Sequence, residues 1–209
     1  MATRSAGAAV PADGTAARPG DPRARPLVLV HTGEGKGKTT AAMGLAMRGW
    51  AQGWSIGIVQ FVKSGKWPMG ERAALLALGR VHATTGEGGP VHWYQAGAGW
   101  TWSRPATGDR AADARTMAAD GWACAEQLIA RQEHRLLILD EITYPIRLGW
   151  IDGARVAATI AGRPGHQHVV ITGRGAPEPL LAVADLVTEM TKERHPYDAG
   201  VRGQRGIEW

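Results

Sequence analysis

The sequence predicts an α/β domain of three layers, built on a mostly parallel sheet of six strands. Three observations lead there. The apolar run Leu27 to Val30 passes through a glycine-rich loop straight into a stretch with helical spacing, giving the order strand, loop, helix. Short apolar runs then alternate with helical stretches to the end of the chain, the pattern that joins parallel strands through crossover helices. The length, 209 residues, fits one domain with a sizeable core.

Residues 1 to 25 are rich in Ala, Gly, Pro and Arg without a periodic apolar face, and read as a disordered N-terminal extension ahead of an α/β domain over 26–209. An Arg- and Ala-rich start also suits an organellar transit peptide, but the interspersed aspartates and prolines favour a plain extension. Leu27 to Val30 is the first strand, and Thr39 to Trp50 carries Ala, Met and Leu at helical spacing until Gln52-Gly53 ends it. Ser55 to Val62 is the second strand, followed by the loop Lys63 to Gly70. Open parallel sheets bind ligands at the carboxyl ends of their strands, so Gln60, Lys63 and Trp67 are placed to face a site; solvated loop lysines are the plain alternative.

Glu71 to Leu78 reads as a short helix and Arg80 to Thr84 as a weak third strand. Thr85 to Gly108 is dense in Gly and Trp with no period, and its length points to function. Trp93, Tyr94, Trp100 and Trp102 lie in it, and in an extended backbone Trp100 and Trp102 share one side, which suits a flat apolar ligand. Asp109 to Glu133 is the longest helix, and Arg135 to Leu139 the fourth strand. Asp152 to Gly162 is a helix, Gln167 to Thr172 a strand ending in Gly173-Arg174-Gly175, Pro177 to Ala184 a helix and Leu186 to Met190 the last strand. An irregular tail with His195, Tyr197 and Arg202 closes the chain.

The formal charge is +5 and the pI near 9.8, but residues 1 to 25 hold four arginines against two aspartates, and the rest has no basic run. That excludes a basic nucleic-acid groove and leaves anionic small molecules as partners. Cys124 is the only cysteine, so no intrachain disulfide forms; helix packing is its expected role and the cytoplasm the expected compartment. No secretory h-region and no apolar run of about 18 residues is present, which argues against export and membrane spanning. His166 and His168 can share a strand face, but two ligands without a third make a weak metal site.

The chemistry concentrates in the loop. Gly33, Gly35 and Gly37 let successive backbone N–H groups turn inward around an anion, and the following helix adds the positive end of its dipole. Lys38 supplies a mobile cation, and Thr39 is placed to bring its hydroxyl to a magnesium ion bridging phosphate oxygens. Thr32 stands where that loop pattern begins with glycine. A glycine-rich turn that happens to contain Gly-Lys-Thr is the alternative; the flanking strand and helix favour a triphosphate cradle. Asp140-Glu141 ends a buried strand, where two carboxylates are costly unless they hold a cation or a hydrogen-bond network. A structural pair capping the next turn is the competing reading. Arg174, between glycines, can approach a phosphate or carboxylate closely, and a turn arginine in water is its alternative.

Thr32-Gly-Glu-Gly-Lys-Gly-Lys-Thr-Thr-Ala-Ala42, Val59-Gln-Phe-Val-Lys63, Leu139-Asp-Glu-Ile-Thr-Tyr144, Ile171-Thr-Gly-Arg-Gly175 and Asp198-Ala-Gly-Val-Arg202 together resemble the ATP:corrinoid adenosyltransferases of cobalamin synthesis and salvage, in order from about Leu27 to Trp209. Thr32 fits that resemblance, because the family's loop itself begins with Thr-Gly. The resemblance implies a P-loop NTPase-like (RecA-like) fold and an activity in which a cob(I) corrinoid attacks the 5′ carbon of ATP and triphosphate leaves. ATP would lie reversed relative to other phosphate-loop proteins, offering its sugar carbon to the second substrate.

It further implies that Gly33, Glu34, Gly35, Lys36, Gly37, Lys38, Thr39 and Thr40 hold the phosphates, with Lys38, Thr39 and Glu141 catalytic and Thr39, Asp140 and Glu141 serving Mg2+. Arg48 and Arg174 join the binding set. Trp100 and Trp102 match an aromatic-Thr-Trp motif that presses on the corrinoid face and excludes a lower axial cobalt ligand, easing reduction. Trp100 stands where the family's motif is expected to have Phe. A homodimer and a flavodoxin-like or flavin reductase electron donor are implied as well. Two other readings stay open from the residues alone: a kinase that transfers phosphoryl groups, and an ATP-gated corrinoid-binding module without turnover.

Overall fold

The computed structural model describes residues 25–61, 69–96 and 109–208. The expectations for residues 1 to 24 and for Lys63, Trp67, Trp100 and Trp102 lie outside them. Six parallel strands form one sheet: β1 (Val28–Thr32), β2 (Ile56–Gln60), β3 (Val91–Gln95), β4 (Leu136–Asp140), β5 (His168–Thr172) and β6 (Leu186–Glu189), in the spatial order β3-β2-β4-β5-β1-β6. The central strands β2 and β4 are buried at every position, which is why they read as continuous apolar runs.

Helices cover both faces. On one side lie α1 (Lys38–Ala51) and α2 (Gly70–Thr85); on the other α3 (Asp109–Arg131), α5 (Gly153–Ala161) and α6 (Glu178–Ala182), with the short α4 (Thr143–Arg147) following β4. Strand alternation divides the core between the two layers. Leu137 and Leu139 of β4 pack with Trp122, Ala125 and Ile129 of α3 and Val156 and Ile160 of α5, while Leu136 and Ile138 pack with Met43 and Ala46 of α1 and Leu75 of α2. Cys124 is half-buried against the first of these clusters, and burial pushes its thiol pKa up.

The third strand is not where the sequence suggested. Arg80 to Thr84 completes α2, which ends at Gly86 in the left-handed conformation with φ 75°. The strand between α2 and α3 is Val91–Gln95, inside the stretch expected to be irregular. It pairs with β2 from Ile56↔Val91 to Gln60↔Gln95. Trp93 and Tyr94 are therefore strand residues packed against the two core layers, one on each side of the sheet. In the tail, Pro196–Ala199 forms a 3-10 turn. Among the described residues no helix is long and apolar enough to cross a membrane.

Candidate active site

The strand order brings one polar residue from each of five strands to the carboxyl edge of the sheet. Gln60 lies opposite Asp140 in the β2–β4 register, and Thr32 lies opposite Glu189 in the β1–β6 register; Thr172 ends β5 between β4 and β1. Ligand sites of parallel sheets lie at this edge.

The phosphate loop occupies the exit of β1. Gly33 and Gly37 have φ of 93° and 107°, values that glycine adopts without steric cost. Gly37 is the N-cap of α1, and no side chain caps that helix, so its first-turn N–H groups face the loop. The Lys38 ammonium donates to the carbonyls of Gly33 (2.8 Å) and Gly35 (2.6 Å), folding back along the loop it serves. Burial pushes the Lys38 pKa below the usual lysine value; Glu141 pulls it back, Arg174 adds to the fall, and Glu34 pulls it back again. Beneath the loop, His31 is buried and directs its Nδ1 at the carbonyl of Lys38 (3.4 Å). Burial lowers the His31 pKa against the effect of that contact.

The loop leans on the exit of β6. Gly35 N–H donates to the carbonyl of Met190 (2.6 Å), and Met190 N–H donates to the carbonyl of Thr32 (2.9 Å). A Cβ at Gly35 would stand 2.7 Å from the carbonyl oxygens of both Met190 and Thr191. Lys36 pairs with Glu208 of the tail, and Glu34 faces Arg174 at 3.5 Å in an exposed ion pair of little energetic weight. The Thr32 hydroxyl accepts the Ala176 N–H (3.0 Å). A glycine at position 32 has no side chain to hold the 174–176 turn against the loop in this way.

Asp140 is the hub of the acidic pair. Its side chain is fully buried and accepts three hydrogen bonds: from Thr39 Oγ1 (2.9 Å) and Thr172 Oγ1 (2.8 Å) on Oδ1, and from Gln60 Nε2 (3.0 Å) on Oδ2. These donors offset the cost of burying a carboxylate. Glu141 follows with φ 61°, a left-handed conformation uncommon for a residue with a Cβ, and its N–H donates to Thr172 Oγ1 (2.9 Å).

Lys38, Thr39, Asp140 and Glu141 thus stand together at the loop, with Glu34, Lys36, Thr40 and Arg174 on its exposed rim. Arg48 does not join them. It is exposed in the last turn of α1, ten residues beyond Lys38 and about 15 Å along the helix axis. His168 stacks on Trp54 with ring centroids 5.1 Å apart and accepts the Leu27 N–H, at the opposite edge of the sheet. Among the described residues no three His, Cys, Asp or Glu side chains are grouped to hold a metal ion. The oxygens of Thr39 and Asp140, 2.9 Å apart, are hard donors that suit Mg2+ sharing most of its shell with phosphates and water.

Thr172 and Met190 had no site role in the sequence. Thr172 reads there as the last letter of a buried strand, and the contact of Met190 is made by its backbone, which no residue type announces.

A family model described as ATP:corrinoid adenosyltransferase BtuR/CobO/CobP matches residues 24–209. The corrinoid adenosyltransferase CobA of Salmonella typhimurium is 38% identical over 88% of this chain and 86% of its own length. Corrinoid adenosyltransferases of Pseudomonas aeruginosa and of a Sinorhizobium species are 38% and 40% identical, again over 88% of this chain, and over 84% and 80% of their own lengths. With the phosphate loop, the acidic strand end and the parallel sheet all inside the matched region, the chain belongs to the ATP:corrinoid adenosyltransferase family, which has a P-loop NTPase-like α/β fold.

Proposed function

We propose that this chain transfers the 5′-deoxyadenosyl group of ATP to the cobalt(I) of a reduced corrinoid and releases triphosphate. The observation that carries this is the family match over residues 24–209, which takes in every strand end that meets at the phosphate loop. The cobalt electron pair forms the bond to C5′, and the electrons of the C5′–O bond leave with the triphosphate. The protein's task is then to hold a highly charged leaving group and to keep the sugar carbon turned away from it.

The loop amides, the uncapped start of α1 and Lys38 supply positive charge for the oxygen that departs. Lys38 would leave the carbonyls of Gly33 and Gly35 for phosphate oxygens, a short swing for a flexible side chain. Thr39, Asp140 and Glu141 would hold Mg2+, which would supply further charge neutralisation on the triphosphate. Gln60 and Thr172 keep the Asp140 carboxylate aimed at Thr39. Trp100 and Trp102 serve the corrinoid face. We further assign a homodimer and a cytoplasmic setting, as the family resemblance and the single cysteine suggest, and a flavodoxin-like or flavin reductase donor, because cobalt(I) has to be supplied by a one-electron reductant.

The test mixes the full chain with ATP, Mg2+ and a chemically reduced corrinoid. An alkylcobalt absorption band with stoichiometric triphosphate is expected. ADP with a phosphorylated acceptor would favour a kinase, and binding of both ligands without turnover a carrier; either result overturns the proposal.

A further inference from the structure

Thr172 ends β5 with its side chain fully buried, and its one hydroxyl makes two contacts that belong to different residues of the acidic pair. It lies 2.8 Å from Asp140 Oδ1 and 2.9 Å from the backbone nitrogen of Glu141. The direction of both bonds follows from the groups themselves. A backbone N–H only donates, so the Thr172 oxygen accepts it and the hydroxyl proton is left to point at Asp140. Thr39 donates to the same Oδ1 from the other side (2.9 Å). A directed chain therefore runs from the Glu141 amide through Thr172 to Asp140, where it meets the hydroxyl of the phosphate loop.

The conformation of Glu141 gives this chain its weight. A residue with a Cβ at φ 61° keeps that geometry only where its surroundings over-determine it. Thr172 supplies the acceptor that meets the Glu141 amide there. A second threonine works in reverse: Thr143, just past β4, donates from its Oγ1 to the carbonyl of Arg174 (2.8 Å), just past β5. A Cβ at Gly173 would stand 2.0 Å from that same Thr143 oxygen, so the two strand exits are closely fitted. Each exit thus holds the other through one buried hydroxyl.

We propose that Thr172 is a positioning residue of the nucleotide site: its hydroxyl fixes the Asp140 carboxylate beside Thr39 and the left-handed turn that presents Glu141, and so sets the affinity for the divalent cation that accompanies ATP. This rests on the placement of Mg2+ at Thr39, Asp140 and Glu141 proposed above. Thr172 acts through its two neighbours, the Asp140 carboxylate and the Glu141 amide.

The experiment compares the full wild-type chain with Thr172→Val, Thr172→Ser and Thr172→Cys. ATP binding is followed by calorimetry at a series of MgCl2 concentrations, with a thermal melt of each variant. Valine keeps the shape and loses the hydroxyl, and is expected to raise the Mg2+ concentration for half-maximal enhancement of ATP binding at least tenfold. Serine should stay within threefold of wild type, and cysteine, a weak donor, should fall between them. In turnover, valine should lower kcat while leaving the KM for the corrinoid within twofold. A valine variant with the wild-type Mg2+ dependence, or a serine variant as impaired as valine, overturns the inference. Should valine fail to fold, cysteine decides, and a wild-type value for it is refuting. A wild-type protein that binds ATP without any Mg2+ dependence removes both the metal placement and the role of Thr172. One that shows the graded Mg2+ series but makes no alkylcobalt removes only the proposed reaction.

Discussion

Gly35→Ala is expected to damage the protein although alanine is the better residue for most backbones. A methyl at position 35 would stand 2.7 Å from the Met190 and Thr191 carbonyl oxygens and 2.8 Å from the Met190 carbonyl carbon, all backbone atoms that cannot rotate aside. Ordinary contact begins near 3.4 Å, so loop and β6 exit must separate by about 0.7 Å. That shift lengthens the Gly35–Met190 hydrogen bond of 2.6 Å by about 0.7 Å and weakens it, at up to about 1 kcal/mol. Overpacking adds roughly 1–3 kcal/mol. At 2–4 °C per kcal/mol for a chain of this size, the melting temperature should fall by roughly 5–15 °C. Displaced amides should also weaken ATP binding at least tenfold. Gly44→Ala is the control: it lies within α1 with nothing inside 4 Å of the added methyl, and should raise stability by about 0.5–1 kcal/mol. A Gly35→Ala protein that melts within 1 °C of wild type and binds ATP normally would refute the bracing of the loop by β6.

Three further outcomes are expected. His134 is almost fully buried, and burial, aided by His92 and opposed by Glu133, pushes its pKa down to about 4. The unfolded state, titrating near 6.5, then binds the proton first, so its contribution to stability is complete above pH 6.5 and is lost as pH falls toward 4, by up to about 3 kcal/mol. Urea midpoints should drop more steeply over that window than in His134→Gln, and parallel profiles would contradict the assignment. Asp140→Asn turns one of the two acceptor oxygens into a donor among Thr39, Thr172 and Gln60, leaving a buried mismatch worth about 2 kcal/mol; unchanged thermal stability would show that the hub is not formed. Trp102→Ala is expected to lose turnover at cobalt reduction while ATP affinity stays within twofold; an equal loss of ATP binding would place Trp102 elsewhere.

The phosphate loop was legible because its chemistry restricts residue type: only glycine readily adopts φ near 93° and 107°, the values at Gly33 and Gly37. The acidic pair was legible because ionisable groups rarely end a buried strand without a task. The third strand was misplaced for an equally physical reason. Val81 and Thr84 are β-branched and suggest a strand, yet they lie in the last turns of α2, whose stop signal is Gly86. Val91, Trp93 and Tyr94 are good strand formers, but glycines before and after them hid the pattern. α4 holds Pro145 within its five residues and has no periodicity to read. The brace on the loop was out of reach altogether, since it joins backbone atoms of Gly35 and Met190 and uses no side chain.

The glycines of the loop after β1 are among the first residues of the domain to leave the ribosome, and the carbonyl that braces Gly35 is at residue 190. At 5–20 residues per second, roughly 8–30 s of synthesis separate Gly35 from Met190. Over that interval the loop lacks the strand that holds its shape. The Gly35–Met190 brace forms when β6 docks beside β1, one of the longest-range pairings in the sheet. The loop's shape is therefore a property of the finished chain, and a nascent protein truncated before β6 carries the whole motif without the backbone partner that braces it.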